Sequence, residues 1–515
     1  MRHGTATAGQ DPGLEGFLTP DNAEEVRELL TDAIQVGLDF KLRNRIFLDR
    51  QDPIAIRDQV MVELEESGTS VDKLLIELRD QILPLSKNEA SPYFMGFGDT
   101  GSNVGAMVGA VIAMLTQQNM INQSFDSPAA TFVELTVVRW LRQLIGYPDR
   151  PAAELTDVWS VGGVMTHGGT MSNTIAMMLA RERMAPGTMS SGVTDPHRFG
   201  LVVPRGINHY SIKAAMTWIG CGASVIEVET NGYRYDRTDL SRALRAHRGE
   251  IAAVVAYAGD SRTQTIDDLA AVAETVRAHD PAIWLHADAC WGGLCALSDE
   301  LRPRLAGIEL FDSVTLDPHK ILGIPYALSA LLVRDPAVLR SVSTYSDLIM
   351  QEEFALGQVS PFIGSKAWES LKLWMTMRSA GRDGLSQLAT SRVAAASYFA
   401  DQVRGRDDLL LLNEPDLMAV VFLFAPDELR QAGPDLVNEV NREIHRRLLQ
   451  DGNWYLHQFS LPDPGVLAKG QLLYPLRFMS SNPRITGQLV DDVLAKVVAT
   501  GRSILTEGNI HVRTD

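Results

Sequence analysis

Two stretches decide the reading: IWLHADACWGG, Ile283 to Gly293, and DSVTLDPHKILG, Asp312 to Gly323. Each is a short apolar run that ends in polar groups, Asp288 in the first and Asp317, His319 and Lys320 in the second. Runs of this size and texture predict strands buried on both faces, and in an open α/β sheet the carboxyl ends of such strands converge on the ligand crevice. Working outward, strand-sized runs recur at Val158 to Val161, Gly200 to Val203 and Ala252 to Tyr257. Helical stretches such as Met171 to Met184 and Leu269 to Ala278 separate them. The alternation predicts βαβ units, hence an α/β protein with a mainly parallel central sheet in a large domain over 91–380. Upstream, residues 21–85 carry apolar positions at spacings of three and four, as in Ala23 to Val36 and Val71 to Ile82, which predicts an N-terminal helical arm over 1–90. Downstream of RSAGRDG (Arg378 to Gly384), a helix over Leu385 to Val403, strands near Met418 to Phe424 and Leu472 to Met479, and a last helix from Thr486 to Ile504 predict a smaller α+β C-terminal domain, 381–515.

The 515 residues are 45% hydrophobic and 22% charged, which supplies material for a large core. A net charge of −17 and a pI near 5.1 argue against nucleic acid or anionic membrane as a partner and favour a small-molecule substrate. The longest apolar run, Val104 to Leu115, is broken by glycines and falls short of the roughly 20 residues that span a bilayer; it predicts a buried helix. Met1 to Gly13 is polar and lacks the apolar centre of a secretion signal, so a cytoplasmic protein is expected. Cys221, Cys290 and Cys295 show neither metal-ligand spacing nor a disulfide framework, so no metal site is expected.

A lysine behind a strand is usually a solvated surface charge, and an aspartate at a strand end is usually a cap or turn former. Together, however, they are the two groups that pyridoxal 5′-phosphate (PLP) chemistry requires: an amine to form the imine and a carboxylate to keep the pyridine nitrogen protonated. The two motifs resemble those of the group II PLP-dependent decarboxylases, the family of glutamate, cysteine sulfinate and aromatic amino-acid decarboxylases, and the resemblance runs from about residue 91 to 495. The family's H-V-D-A-A-[WY]-G-G stands here as His286 to Gly293, and its [ND]-P-H-K as Asp317 to Lys320. The resemblance implies PLP-dependent transferase fold type I, Asp288 at the pyridine nitrogen and Lys320 as the Schiff-base lysine. It also implies an activity, removal of the α-carboxylate of an L-amino acid to give an amine and CO2.

A glycine turn running into a helix offers unpaired N–H groups to an anion. In HGGTMSN, His167 to Asn173, it matches the family's G-G-[STA]-x-[SA]-N, which implies phosphate contacts from Gly169 and Thr170, with Ser172 and Asn173 supporting the turn. In NHYSIKAA, Asn208 to Ala215, the resemblance gives His209 the place of the histidine that stacks on the PLP ring, where it also offers a proton near the substrate carboxylate. His319 is expected at the phosphate or the substrate. Thr100, in SPYFMGFGDTG, is either a family position lining the substrate pocket or a turn residue before the Val104 helix. Arg477 either anchors a carboxylate or pairs with a structural acid.

Three departures from the family pattern stand out. The usual A-T-x-G-T-T reads Ala256 to Ser261, AYAGDS, which brings Tyr257 and Asp260 to the side of the ring that carries the hydroxyl. The N-Q preceding the pocket threonine is Gly96 and Phe97, which argues against glutamate as substrate. In the loop expected over Ser343 to Gly364, counted back from Lys366 where relatives have arginine, Phe354 falls at the place of the tyrosine that protonates the substrate carbon, and Tyr345 lies near the loop's start. Relatives with phenylalanine there turn decarboxylation into oxidative deamination and yield an aldehyde, so that outcome is the alternative; another fold-type I PLP lyase and a catalytically silent binding protein are the remaining ones. The family further implies a homodimer with the active site at the subunit interface.

Overall fold

The computed structural model describes residues 16–222, 224–348, 353–359, 362 and 364–507; the reading of Met1 to Gly13 and part of the Ser343 to Gly364 loop fall outside them. The chain divides between Ser91 and Pro92. In the first unit lie the helices Ala23–Leu42, Pro53–Val60 and Val71–Glu77, the last passing into a π turn, Leu78–Ile82. None of the three helices buries a residue, while Ile46, after the first helix, and Leu85, after the π turn, are buried.

The second unit is built on a seven-stranded sheet. From one edge to the other its order is Gly163–Thr166, Ser329–Val333, Ser313–Leu316, Trp284–Asp288, Ile251–Tyr257, Gly200–Pro204 and Val225–Val228. All pairings are parallel except those of Ser329–Val333, which runs antiparallel to both neighbours. The central strands are buried along their whole length, which is why they read as continuous apolar runs. Helices Gly169–Met184, Tyr210–Trp218 and Leu269–His279 lie among the connections. A second core forms on an antiparallel sheet ordered Leu409–Leu411, Ala419–Phe424, Leu476–Met479 and His457–Gln458, with helices Pro434–Asp451 and Gly487–Glu507.

Three sequence expectations change. Val158 to Val161 is a bend and turn; the edge strand is Gly163–Thr166, set by its register with Ser329–Val333. The helix expected over Leu385 to Val403 begins at Ser370 and continues to Arg404 through a kink at Gly381, whose φ of 61° a glycine adopts without strain. The Val104–Thr116 helix buries only Ala106 and Gly109. Its small residues press on the long helix, for a Cβ on Gly109 would stand 3.0 Å from the Leu371 carbonyl oxygen. Val104, Val108, Ile112, Met114 and Leu115 face outward, so this apolar helix is not the buried one that its composition predicts.

Candidate active site

Four parallel strands end side by side, and the residues just past their carboxyl ends line a cavity of about 220 Å³. Asp288 closes the Trp284–Asp288 strand and Tyr257 closes its neighbour, the two standing in register. Asp317 and Lys320 follow Ser313–Leu316 through a single helical turn, Pro318–Ile321. His209 follows Gly200–Pro204, and its imidazole Nδ1 caps the Tyr210–Trp218 helix by accepting from Ser211 N–H at 3.3 Å. The N-terminal turn of the Gly169–Met184 helix supplies the remaining wall, with Gly168, Gly169, Thr170 and Asn173.

Lys320 Nζ stands 2.7 Å from Asp317 Oδ2 and 5.3 Å from the centre of the Trp291 ring. Burial is the largest influence and disfavours the ammonium, yet Asp317, Cys290 and Asp288 together outweigh it and raise the lysine above its ordinary range. For Asp317 burial works the other way, and Lys320, His319 and the Ser329 hydroxyl together hold it below the usual carboxylate range. His319 donates Nδ1–H to the Leu328 carbonyl at 2.7 Å and turns Nε2 toward Asp317, 3.9 Å away.

A hydrogen-bond network links Asp288 to His209. The Asp288 carboxylate orients the Asn173 amide, whose Nδ2 donates to Asp288 Oδ2 and to Ser211 Oγ, both at 3.0 Å. Asn173 Oδ1 is thereby turned to His286 Nε2 at 3.0 Å, so that nitrogen carries the hydrogen. His286 Nδ1 then accepts from Ser313 Oγ at 2.8 Å, and that oxygen accepts Trp284 Nε1–H at 2.8 Å. On the other branch, Ser211 Oγ already holds an amide hydrogen and gives its own to His209 Nδ1 at 2.7 Å. A neutral His209 is therefore the Nε2–H tautomer, and that hydrogen is left for the cavity. Burial, ahead of the charges of Asp288 and Lys320, lowers the His209 pKa and favours the neutral ring. Burial likewise brings His286 down to about 4.

The donor set fits PLP on the structure's own terms. A carboxylate stands at the cavity floor, a helix N-terminus opens on the cavity, and a Cβ on Gly169 would come within 2.8 Å of Cys290 Sγ and 2.9 Å of the Asp317 carboxylate, so only the bare backbone fits there. Gly169, Thr170, His209, Asp288, His319 and Lys320 thus meet in one place. Thr100, Phe97, Phe354 and Arg477 are not among the described residues that line it. Thr100 packs by the loop after Lys320, its Oγ1 being 3.2 Å from where a Cβ of Gly323 would stand. Phe97 lies against His457, ring centres 4.4 Å apart, and Phe354 against Phe132 at 5.2 Å. Arg477 donates to the backbone carbonyls of Ser261 and Gly96; it clasps two loops where the sequence suggested a carboxylate anchor or a partner acid. Asp260 is consumed within its own turn, accepting from the N–H groups of Arg262, Thr263 and Thr265. Lys366 pairs with Glu134 at 3.2 Å.

Sequence reasoning passed over Ser211 and Trp291, and it assigned Asn173 to turn support. Ser172 does that work through Thr166 Oγ1 at 2.6 Å. The signal for Asn173 was its spacing: one helical turn beyond Gly169, it faces the same way as the phosphate cradle.

Comparison with known proteins agrees with the geometry. The sequence model described as "Pyridoxal-dependent decarboxylase conserved domain" matches residues 53–425. The acidic amino acid decarboxylase GADL1 of Mus musculus is 29% identical over 428 residues, 79% of this chain and 74% of that protein. The aromatic-L-amino-acid decarboxylase of Bacillus atrophaeus is 24% identical over 94% of this chain and 97% of its own length. Among solved structures, apo mouse CSAD superposes with a TM-score of 0.81 at 25% identity, over 93% of this chain and 99% of that one. The 4-hydroxyphenylacetaldehyde synthase of Rhodiola rosea shares the fold, with a TM-score of 0.78 at 20% identity, over 95% of this chain and 99% of that one.

Proposed function

This chain belongs to the pyridoxal-dependent decarboxylase family, and from that premise we propose that Lys320 holds PLP as a Schiff base while the enzyme removes the α-carboxylate of an L-amino acid, releasing an amine and CO2. The carrying observation is that Lys320 and Asp288, 32 positions apart by their numbers, meet in one cavity with a helix N-terminus and a histidine. The bound cofactor supplies the electron sink for the pair left on Cα when CO2 departs. The other steps fall to the chain's own residues. Asp288, hydrogen-bonded to Asn173 Nδ2, would keep the pyridine nitrogen protonated. The Gly169 and Thr170 N–H groups, with the positive end of their helix, hold the phosphate. His209, which lines the cavity, would stack on the cofactor ring and offer its Nε2–H to the substrate carboxylate. Asp317 fixes the position of Lys320 Nζ, and His319, held by the Leu328 carbonyl, borders the substrate.

The same reading makes the enzyme a cytosolic homodimer with its active site completed at the subunit interface. Among the described residues, no helix is long and apolar enough to cross a membrane. The outward apolar side chains of the Val104–Thr116 helix and the unburied helices of residues 16–91 support the dimer.

A product-resolved screen of acidic, aromatic, basic and small L-amino acids tests the reaction. The expected result is CO2 with an equal amount of amine from at least one substrate; no CO2 from any of them, with PLP demonstrably bound, overturns it. The place of Phe354 in the sequence, where the family has tyrosine, motivates a second reading, oxidative deamination to an aldehyde, although the side chain packs on Phe132 and does not line the cavity. That reading predicts oxygen uptake, peroxide and ammonia during turnover, and background oxygen consumption eliminates it.

A further inference from the structure

Tyr257 stands where the family's A-T-x-G-T-T has threonine, and its surroundings give the phenol a specific task. Its side chain lines the cavity and is 1% exposed. The phenolic oxygen accepts the backbone N–H of His209 at 2.8 Å. Among the described residues, no protein group accepts the phenol's own hydrogen. A buried hydroxyl with an unspent donor is costly unless something in the cavity receives it.

Topology says which atom that is. The Trp284–Asp288 strand has Ser313–Leu316 on one side and Ile251–Tyr257 on the other. Gly169, at the phosphate cradle, sits against Cys290 and Asp317, and thus toward the Ser313–Leu316 side. On a pyridoxal ring whose nitrogen faces Asp288 and whose phosphate arm leaves toward Gly169, the 3-oxygen lies on the opposite edge. That edge faces the Tyr257 strand.

We infer that Tyr257 donates its phenolic hydrogen to the 3-oxygen of the bound cofactor and so sets the acidity of the Schiff base on Lys320. This rests on the proposed roles of Lys320, Asp288 and Gly169. The 3-oxygen as an anion also accepts the Schiff-base proton. A second donor to that oxygen weakens its hold on this proton, so the imine nitrogen gives the proton up at lower pH. Burial and the neighbouring Asp288 carboxylate keep Tyr257 protonated, and hence a donor, at any working pH.

The test is the visible absorbance of the substrate-free holoenzyme titrated with pH, for the wild type, Tyr257→Phe, and a protein with 3-fluorotyrosine at 257. Tyr257→Phe moves the midpoint up by about one pH unit. The fluorinated phenol, a stronger donor that still accepts His209 N–H, moves it down, and it decides the matter if the phenylalanine variant fails to fold. Superimposable titrations, or shifts of the same sign in both variants, overturn the inference. A change confined to KM for the amino acid also overturns it, because it places the phenol on the substrate. If the wild type shows no Schiff-base absorbance with PLP added, the assignment of Lys320 fails instead.

Discussion

The hydrogen that His209 offers the cavity is fixed by Asp288 through two intervening side chains, Asn173 and Ser211. Ser211→Ala leaves His209 Nδ1 only the longer backbone donor at 3.3 Å. The ring then samples both tautomers, and kcat falls on the order of tenfold with cofactor affinity unchanged. Asn173→Ala also frees Asp288, so PLP affinity falls along with kcat; steady-state kinetics and PLP titration separate the two variants. His286, at the other end of the network, carries a stability prediction. Its folded pKa of about 4 lies below the ordinary imidazole value near 6.5, so the unfolded chain binds the extra proton first as pH falls. Its contribution is complete above about pH 6.5 and is lost progressively down to about pH 4, roughly 3 kcal/mol in all. Denaturant melts at pH 7 and pH 5 should show the loss in the wild type and a smaller one in His286→Gln; an identical pH dependence contradicts it.

At the scale of elements, the candidate site was legible where its residues stand at strand ends. Lys320, Asp288 and His209 each follow an apolar run that could only be a buried strand, and Gly169 and Thr170 open a helix that the sequence marks with glycines. Gly169→Ala tests that element. Its new methyl group meets Cys290 and Asp317, so PLP dissociates at least about tenfold more readily, whereas the cofactor-free protein keeps its far-UV circular dichroism; unchanged PLP affinity contradicts the cradle. The sequence was silent where contacts are long in range. Arg477 reaches Gly96 across nearly the whole second unit, and no local pattern announces that bond. Val158 to Val161 has the apolar character of a strand, but register with Ser329–Val333 selects the residues just after it. The glycines of Arg378 to Gly384 read as a break, yet Gly381 absorbs the kink and the helix runs on.

For the whole molecule, the outward face of the Val104–Thr116 helix is the feature that a single chain leaves unexplained. Val104 is 70% exposed and Met114 58%, and covering such side chains is worth roughly 1.5–3 kcal/mol each when burial is complete. Sedimentation at micromolar concentration is expected to give twice the 56.5 kDa chain mass. Val108→Glu combined with Ile112→Glu should yield an inactive monomer, and an active wild-type monomer would overturn the dimer. The central claim, that Lys320 bears the cofactor of a decarboxylase, is tested most directly by borohydride reduction of the active holoenzyme followed by mass mapping of its peptides. The account predicts a phosphopyridoxyl group on Lys320, with CO2 release lost in step with its incorporation. Label on another lysine, or CO2 release that survives complete reduction, would contradict it.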